Sequence, residues 1–174
     1  MSWQAIVAVD AAGGIGRAGA IPWKFKEDMA FFRQQTLGQH VVMGRRTWQS
    51  LGERCLPGRS QHSVIQSDCS ADCLQRLQAA NAGENIQLFP SVDSLLQQSA
   101  GETCWIIGGA RLYEECFRRD LCDRLWLTRI HAAFDCDCQL QLPPASLYNI
   151  QEIRSITSAC GLTGSIELWQ RRRP

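Results

Sequence analysis

The sequence is short of several features that would assign a function quickly. No run of 18 or more apolar residues occurs in its 174 positions, so no helix could span a bilayer. The start, Met1-Ser2-Trp3-Gln4-Ala5-Ile6-Val7, has no basic n-region, and its apolar run ends at Asp10, which argues against a signal peptide. A cytoplasmic, reducing location is therefore expected. Charge of one sign is lacking: 18 Lys and Arg against 17 Asp and Glu leave a net +1, so no global field attracts nucleic acid or an anionic membrane. The basic run Arg171-Arg172-Arg173 reads as a solvated tail. The nine cysteines include no C-x-x-C pair. The nearest groupings, Cys136-Asp137-Cys138 and Cys69 with Cys73, lack the spacing of a structural zinc site, so no metal and nine free thiols are expected. There is no repeat, low-complexity tract or linker, which leaves one domain over residues 1–174. There is also no G-x-G-x-x-G and no serine in a nucleophile elbow.

What is present alternates between strand and helix patterns. Trp3 to Val9 is an apolar strand ended by Asp10 and Gly13-Gly14, and a loop runs from there to Ile21-Pro22-Trp23. Lys26 to Thr36 has helical spacing, with Glu27 and Asp28 in its first turn and Gly38 as its stop. Strands are predicted at His40–Gly44, His62–Gln66, Ile86–Phe89, Cys104–Ile107 and Arg124–His131. Helices are predicted at Arg46–Leu51, Ala71–Ala80, from the Ser91 N-cap to Gln98, and from Gly109 to about Arg118. Asn149–Thr157 and Ser165–Gln170 read as a closing hairpin. The fold class is α/β: a central, mostly parallel sheet of about eight strands with a C-terminal antiparallel hairpin and helices on both faces.

Two segments repeat one arrangement of apolar strand, glycine turn and helix start: Val41-Val42-Met43-Gly44-Arg45-Arg46-Thr47 and Trp105-Ile106-Ile107-Gly108-Gly109-Ala110-Arg111. Each presents backbone N–H groups and a helix N-terminus at the carboxyl end of a strand, where open α/β sheets bind diphosphates. Two such turns suit one dinucleotide, and Arg45-Arg46 favours a phosphorylated one, NADPH. Asp28 is the candidate acid. Phe31, Phe32 and Trp23 offer it apolar walls, which raise a carboxyl pKa. Arg59, after Leu56-Pro57-Gly58, is a fork suited to a carboxylate. His40, His62 and His131 share no metal or triad spacing and read as structural.

With these residues in hand, nearly the whole chain resembles the dihydrofolate reductase family. Ala5 to Asp10 is similar to its first strand. Ile15-Gly16 and Ile21-Pro22-Trp23 are similar to its active-site loop, and Asp28 with Phe32 and Thr36 to its pterin-binding helix. Val42-Met43-Gly44-Arg45 with Thr47-Trp48 resembles the cofactor strand and helix. Leu56-Pro57-Gly58-Arg59, Ile106-Ile107-Gly108-Gly109 with Arg111 and Tyr113, and Leu127-Thr128 complete the series. The resemblance implies reduction of 7,8-dihydrofolate to 5,6,7,8-tetrahydrofolate, a step of one-carbon metabolism, by hydride transfer from nicotinamide C4 to pterin C6 with protonation at N5. It implies Asp28, Trp23 and Thr128 as the catalytic group. It places Ala5, Ile6, Met29, Phe32, Ser50, Leu51, Leu56, Arg59, Ile107 and Tyr113 around the substrate. It implies NADPH held by Ile6, Ile15, Gly16, Ile21, Gly44, Arg45, Arg46, Thr47, Gln66, Ser67, Ile107, Gly108, Gly109, Ala110, Arg111, Leu112 and Tyr113, with a cis Gly108–Gly109 bond. It also implies a monomer that binds antifolate inhibitors, and a lid formed by Asp10–Trp23.

The chain departs from the family pattern in the longer Ala11-Ala12-Gly13-Gly14 stretch, in Ile21, in Ala110 as third residue of the glycine run, and over 60–66 and 135–142. The alternatives are a related NADPH-dependent pyrimidine reductase of riboflavin synthesis, a pterin reductase, and a non-catalytic binder using its cysteines as a redox or metal module.

Overall fold

A computed structural model describes residues 2–81, 83–99 and 101–172. The strands are β1 (Ser2–Val9), β2 (Gly14–Gly16), β3 (His40–Gly44), β4 (Gln61–Ile65), β5 (Ile86–Phe89), β6 (Thr103–Ile106), β7 (Cys122–Ile130), β8 (Cys138–Gln139), β9 (Tyr148–Thr157) and β10 (Thr163–Arg171). The helices are α1 (Lys26–Thr36), α2 (Arg45–Ser50), α3 (Ala71–Ala80), α4 (Val92–Gln98) and α5 (Ala110–Arg118), with a 3₁₀ turn at Ala145–Leu147.

Eight strands form one sheet in the order β5-β4-β3-β6-β1-β7-β10-β9, and β2 pairs with β8 in a small second sheet. The pairings from β5 across to β7 are parallel, and β10 runs antiparallel to both β7 and β9. Parallel strands need crossovers, and helices supply most of them. Side chains alternate across the sheet. From β1, Trp3, Ala5, Val7 and Val9 enter one apolar cluster with Val92 and Leu95 of α4 and Leu112, Cys116 and Phe117 of α5. Ile6 enters the other, with Phe31 of α1 and Trp48 of α2. Both faces are therefore covered by helices, as the pattern predicts. α3 buries no side chain completely and lies beside the edge strand β5.

Several boundaries differ from the sequence reading. β4 ends at Ile65 and leaves Gln66 outside the strand, held by its N–H on the Phe89 carbonyl at 2.8 Å. β6 ends at Ile106, so Ile107 belongs to the turn. The Asp10–Trp23 stretch is not all loop, because β2 lies within it. The C-terminal arginines are not a free tail. Arg171 ends β10 and pairs with Asp120, and Arg172 Nε donates to Asn149 Oδ1 at 2.9 Å; Arg173 lies outside the described residues. The nine cysteines are not all free. Cys69 and Cys73 form a disulfide across the start of α3, whose N-cap Ser70 also accepts the Cys73 N–H. The helix turn brings positions i and i+4 together there.

Gly164 on β10 has no room for a side chain: an added Cβ would sit 2.7 Å from the Arg129 carbonyl oxygen. That neighbour is strand backbone and cannot swing away. Gly164→Ala should lower stability by about 1–3 kcal/mol, read as a lower urea midpoint with an unchanged slope.

Candidate active site

β3 and β6 are neighbours, so the two glycine turns end side by side. The Gly44 N–H donates to the Gly108 carbonyl at 2.7 Å, and the Ile107 N–H to the Val42 carbonyl at 2.9 Å. The Gly108–Gly109 peptide is cis, as expected. Gly108 has φ +128°, outside the range of ordinary side chains, and a Cβ there would press on Thr47 Oγ1 at 3.1 Å. Thr47 thus closes over the glycine pair from α2. Both α2 and α5 start at a glycine, Gly44 and Gly109, with no side-chain cap. By contrast α3 and α4 are capped by Ser70 and Ser91. The first N–H groups of α2 and α5 are therefore left for an outside acceptor. Arg45, Arg46 and Arg111 are exposed, and none of the ion pairs among the described residues engages them.

One turn into α5, Tyr113 reaches across to β1: its hydroxyl donates to the Ile6 carbonyl at 2.6 Å, and its N–H to the Gly109 carbonyl at 3.1 Å. Beside it stands Asp28, near enough that its charge raises the Tyr113 pKa further after burial has done so. Burial pushes the Asp28 carboxyl above its usual range, and a hydrogen bond from the Thr128 hydroxyl on β7 partly offsets this. The surrounding wall is apolar: Ile6, Trp23 and Phe31 are buried in the cluster that Phe32, Leu51 and Ile107 flank. Phe31 packs on Trp126 at 5.7 Å and Trp23 on Phe134 at 5.4 Å.

At the far end of α1, Arg59 lies 5.5 Å over the Phe32 ring. Its Nε and Nη2 donate to Thr36 Oγ1 at 3.2 and 2.8 Å, and its Nη1 to the Pro57 carbonyl at 2.7 Å. Burial first, and then the charge of its neighbour Arg33, lower its pKa, and no carboxylate neutralises either arginine among the described ion pairs. Such a fork suits an incoming carboxylate.

The model for the family "Dihydrofolate reductase" matches residues 2–159. The chain belongs to the dihydrofolate reductase family. It is 35% identical over 133 residues to the Bacillus subtilis dihydrofolate reductase, covering 76% of this chain and 71% of that one. It is 36% identical over 150 residues to a putative dihydrofolate reductase of Caenorhabditis elegans, covering 78% and 75%. It matches 92% of its own length to the bifunctional dihydrofolate reductase-thymidylate synthase of Paramecium tetraurelia at 30% identity, and spans 33% of that protein. A solved structure of the Enterococcus faecalis dihydrofolate reductase complexed with NADP(H) and RAB-propyl superposes with a TM-score of 0.79 at 26% identity, covering 99% of this chain and 97% of that one.

Within this family member the expected site residues fall into three groups. Asp28 is hydrogen-bonded by Thr128 and lies within electrostatic reach of Tyr113; Ile6, Phe32, Leu51 and Ile107 share one apolar cluster, whereas Ala5 packs in the cluster on the other face of the sheet. Gly44, Thr47, Gly108, Gly109 and Ala110 form or flank the paired turns, whereas Leu112 is buried in the apolar cluster under α5. Others sit at the rim: Met29 and Ile21 are each 56% exposed, and Ser50 turns its hydroxyl onto the Thr47 carbonyl at 2.7 Å. Gln66 and Ser67 follow β4, one strand beyond the turns. Ile15 and Gly16 lie on β2, stitched to β8.

Sequence reasoning named Thr36 and read His40 as structural, but three sets of contacts were not foreseen. Thr36, eight residues after Asp28 and two helical turns away, is the acceptor that holds Arg59. His40 bridges Ser63 Oγ at 2.8 Å and Glu102 Oε2 at 3.2 Å, a triad-like chain. Ser63 is fully buried, so this chain fastens β3 to β4 and performs no nucleophilic chemistry. Asp10 is the third. It accepts N–H groups from Ala12, Gly14 and Phe134 at 2.9, 2.7 and 2.9 Å, locking the active-site loop onto the segment before β8. Burial acts to raise its pKa, and the three backbone donors outweigh that and leave it below the usual range.

A lowered carboxylate pKa contributes stability above the unfolded value and loses it as pH falls through the folded one. Asp10→Asn should therefore cost about 1–2 kcal/mol at neutral pH. The deficit against wild type should shrink below pH 3.8 and vanish in stronger acid, as read by denaturant titration across pH.

Proposed function

We propose that the chain reduces 7,8-dihydrofolate to 5,6,7,8-tetrahydrofolate with NADPH. The observation that carries this is the raised carboxyl of Asp28 in the first turn of α1, within electrostatic reach of Tyr113 on the helix that follows the glycine pair, with the Arg59 fork held over Phe32 and on Thr36 of the same α1. The residues fit the cofactor. The turns are bare of side chains, two helix starts are uncapped, and Arg45, Arg46 and Arg111 stand free for phosphate. Gly44 to Thr47 and Gly108 to Arg111 would hold the diphosphate and Arg45 or Arg46 the 2′-phosphate, with Gln66 and Ser67 nearest the adenosine. Ile6, Ile15, Gly16, Ile21, Leu112 and Tyr113 would flank the nicotinamide side. Bound there, NADPH supplies the hydride.

The chain's own work is orientation and one proton. Asp28 would hydrogen-bond the 2-amino group and ring nitrogen of the pterin, and its raised pKa lets it hold a proton at neutral pH and promote protonation at N5. Thr128 fixes the carboxyl's direction and tunes it downward. Ala5, Met29, Phe32, Ser50, Leu51 and Leu56 would wall the pterin and aminobenzoate against water, with Trp23 closing the near side. Arg59 would grip the α-carboxylate of the glutamate tail. Antifolates that mimic the pterin would occupy the same cleft. The chain acts as a monomer in the cytoplasm.

NADPH oxidation with dihydrofolate tests the reading, and no oxidation would remove it. Asp28→Asn should keep NADPH binding and lose about 10²-fold or more in kcat/KM near neutral pH. Its fold should gain stability at neutral pH, because a raised carboxyl pKa costs stability once ionised; the gain should fade in acid. Thr128→Val removes the interaction that lowers the Asp28 pKa, so the pH profile of kcat/KM should move to higher pH.

A further inference from the structure

We propose that His62 is a positioning residue for the substrate tail: as a neutral imidazole it pins the Leu56–Arg59 turn to the sheet. The proposal rests on the reading of Arg59 as the carboxylate grip. His62 lies on β4 and is 1% exposed. Its Nε2 accepts the Leu56 N–H at 2.8 Å, and its Nδ1 meets the Asn85 carbonyl at 3.2 Å. A backbone N–H can only donate and a carbonyl can only accept. Nε2 must therefore be bare and Nδ1 protonated, which allows one tautomer and one charge state.

The pin matters because of where the turn is otherwise held. Its far end is tied by backbone: Gly38 N–H to the Gly58 carbonyl at 2.7 Å and Ser60 N–H to the Gln39 carbonyl at 3.0 Å. Its near end, Leu56, is tied by the imidazole. Between these ties sits Arg59, aimed along α1 by Thr36. A second proton on His62 would set N–H against the Leu56 N–H and free that end. The charged and titratable groups around the ring are Arg59 on the turn, His40 on β3, and Glu84 before β5, which also hydrogen-bonds Cys55 beside Leu56. Burial keeps the ring neutral first, Arg59 and His40 act in the same direction, and Glu84 and the Asn85 carbonyl oppose them, leaving the pKa below 6.5.

The test is the ratio of KM for dihydrofolate to KM for a tail-less dihydropterin, measured on the full chain with saturating NADPH. Both substrates use Asp28, so its titration cancels. Losing one such hydrogen bond corresponds to about three- to tenfold. The wild-type ratio should rise towards that factor as pH falls below 6.5 through the ring's lowered pKa. His62→Leu should show the raised ratio throughout, with kcat unchanged. His62→Gln, whose amide oxygen accepts without titrating, should restore a low, pH-independent ratio. A flat wild-type ratio, an unchanged ratio in His62→Leu, or equal rises for both substrates would overturn the proposal. If His62→Leu does not fold, the flat ratio of His62→Gln against the sloping wild type decides. Arg59→Ala separates the two readings. If it leaves the ratio unchanged, the Arg59 assignment falls, and the pin is then decided by hydrogen exchange at the Leu56 amide. That amide should lose protection in wild type on acidification; retained protection refutes the pin.

Discussion

The contact that the site depends on is the hydrogen bond from Gly44 N–H to the Gly108 carbonyl. It exists because β6 is inserted between β3 and β1, so two strand–turn–helix units that are distant in sequence finish together. With no side chains on Gly108 and Gly109, Thr47 can close on them, and α2 and α5 begin on one rim. Tyr113, one turn into α5, then reaches the Ile6 carbonyl. The two glycine turns, α5 and β1 are thereby parts of one hydrogen-bonded frame. Catalysis by orientation requires such rigidity.

The active-site loop is fastened more tightly than its glycines suggest. Asp10 holds its base, β2 pairs with β8, and Asp137 Oδ2 accepts the Ala18 N–H at 2.8 Å. Gly14 packs so closely on Cys136 that a Cβ would lie 2.3 Å from the Cys136 Cβ. Residues 17–22 carry the exposed Ile21 and are tied to the body through Ala18.

Much of this was legible in the chain. The bounds of α1, α3, β3 and β5 coincide with those read from the sequence, because glycines, Ser91 and clear periodicity punctuate them locally. The residues around Asp28 were legible because each motif is short and ordered. The rest was hidden for physical reasons. β2 and β8 are too short to carry a pattern, and they pair across more than a hundred residues. The Cys69–Cys73 bridge depends on a helix beginning between two cysteines that read as unrelated thiols. His62 reads as a core histidine in an apolar strand; its partner, the Leu56 N–H, is invisible until the turn is folded back.

Two aspartates show how the same side chain is set to opposite purposes. Both sit in largely apolar surroundings at the ends of β1 and α1, and burial alone would raise the pKa of each. Asp10 receives three backbone N–H groups, which solvate its charge as water would, so it stays ionised and serves as a rivet. Asp28 receives one hydroxyl, from Thr128, and no further donor to its carboxyl is found among the described residues. A carboxyl in that condition either holds a proton or takes donors from a ligand. On the proposed reading, the donor-rich edge of a pterin would supply such donors and stabilise the charged form. Under that proposal the incompleteness of the Asp28 environment, and not the presence of an acid as such, would fit the site for proton-coupled reduction.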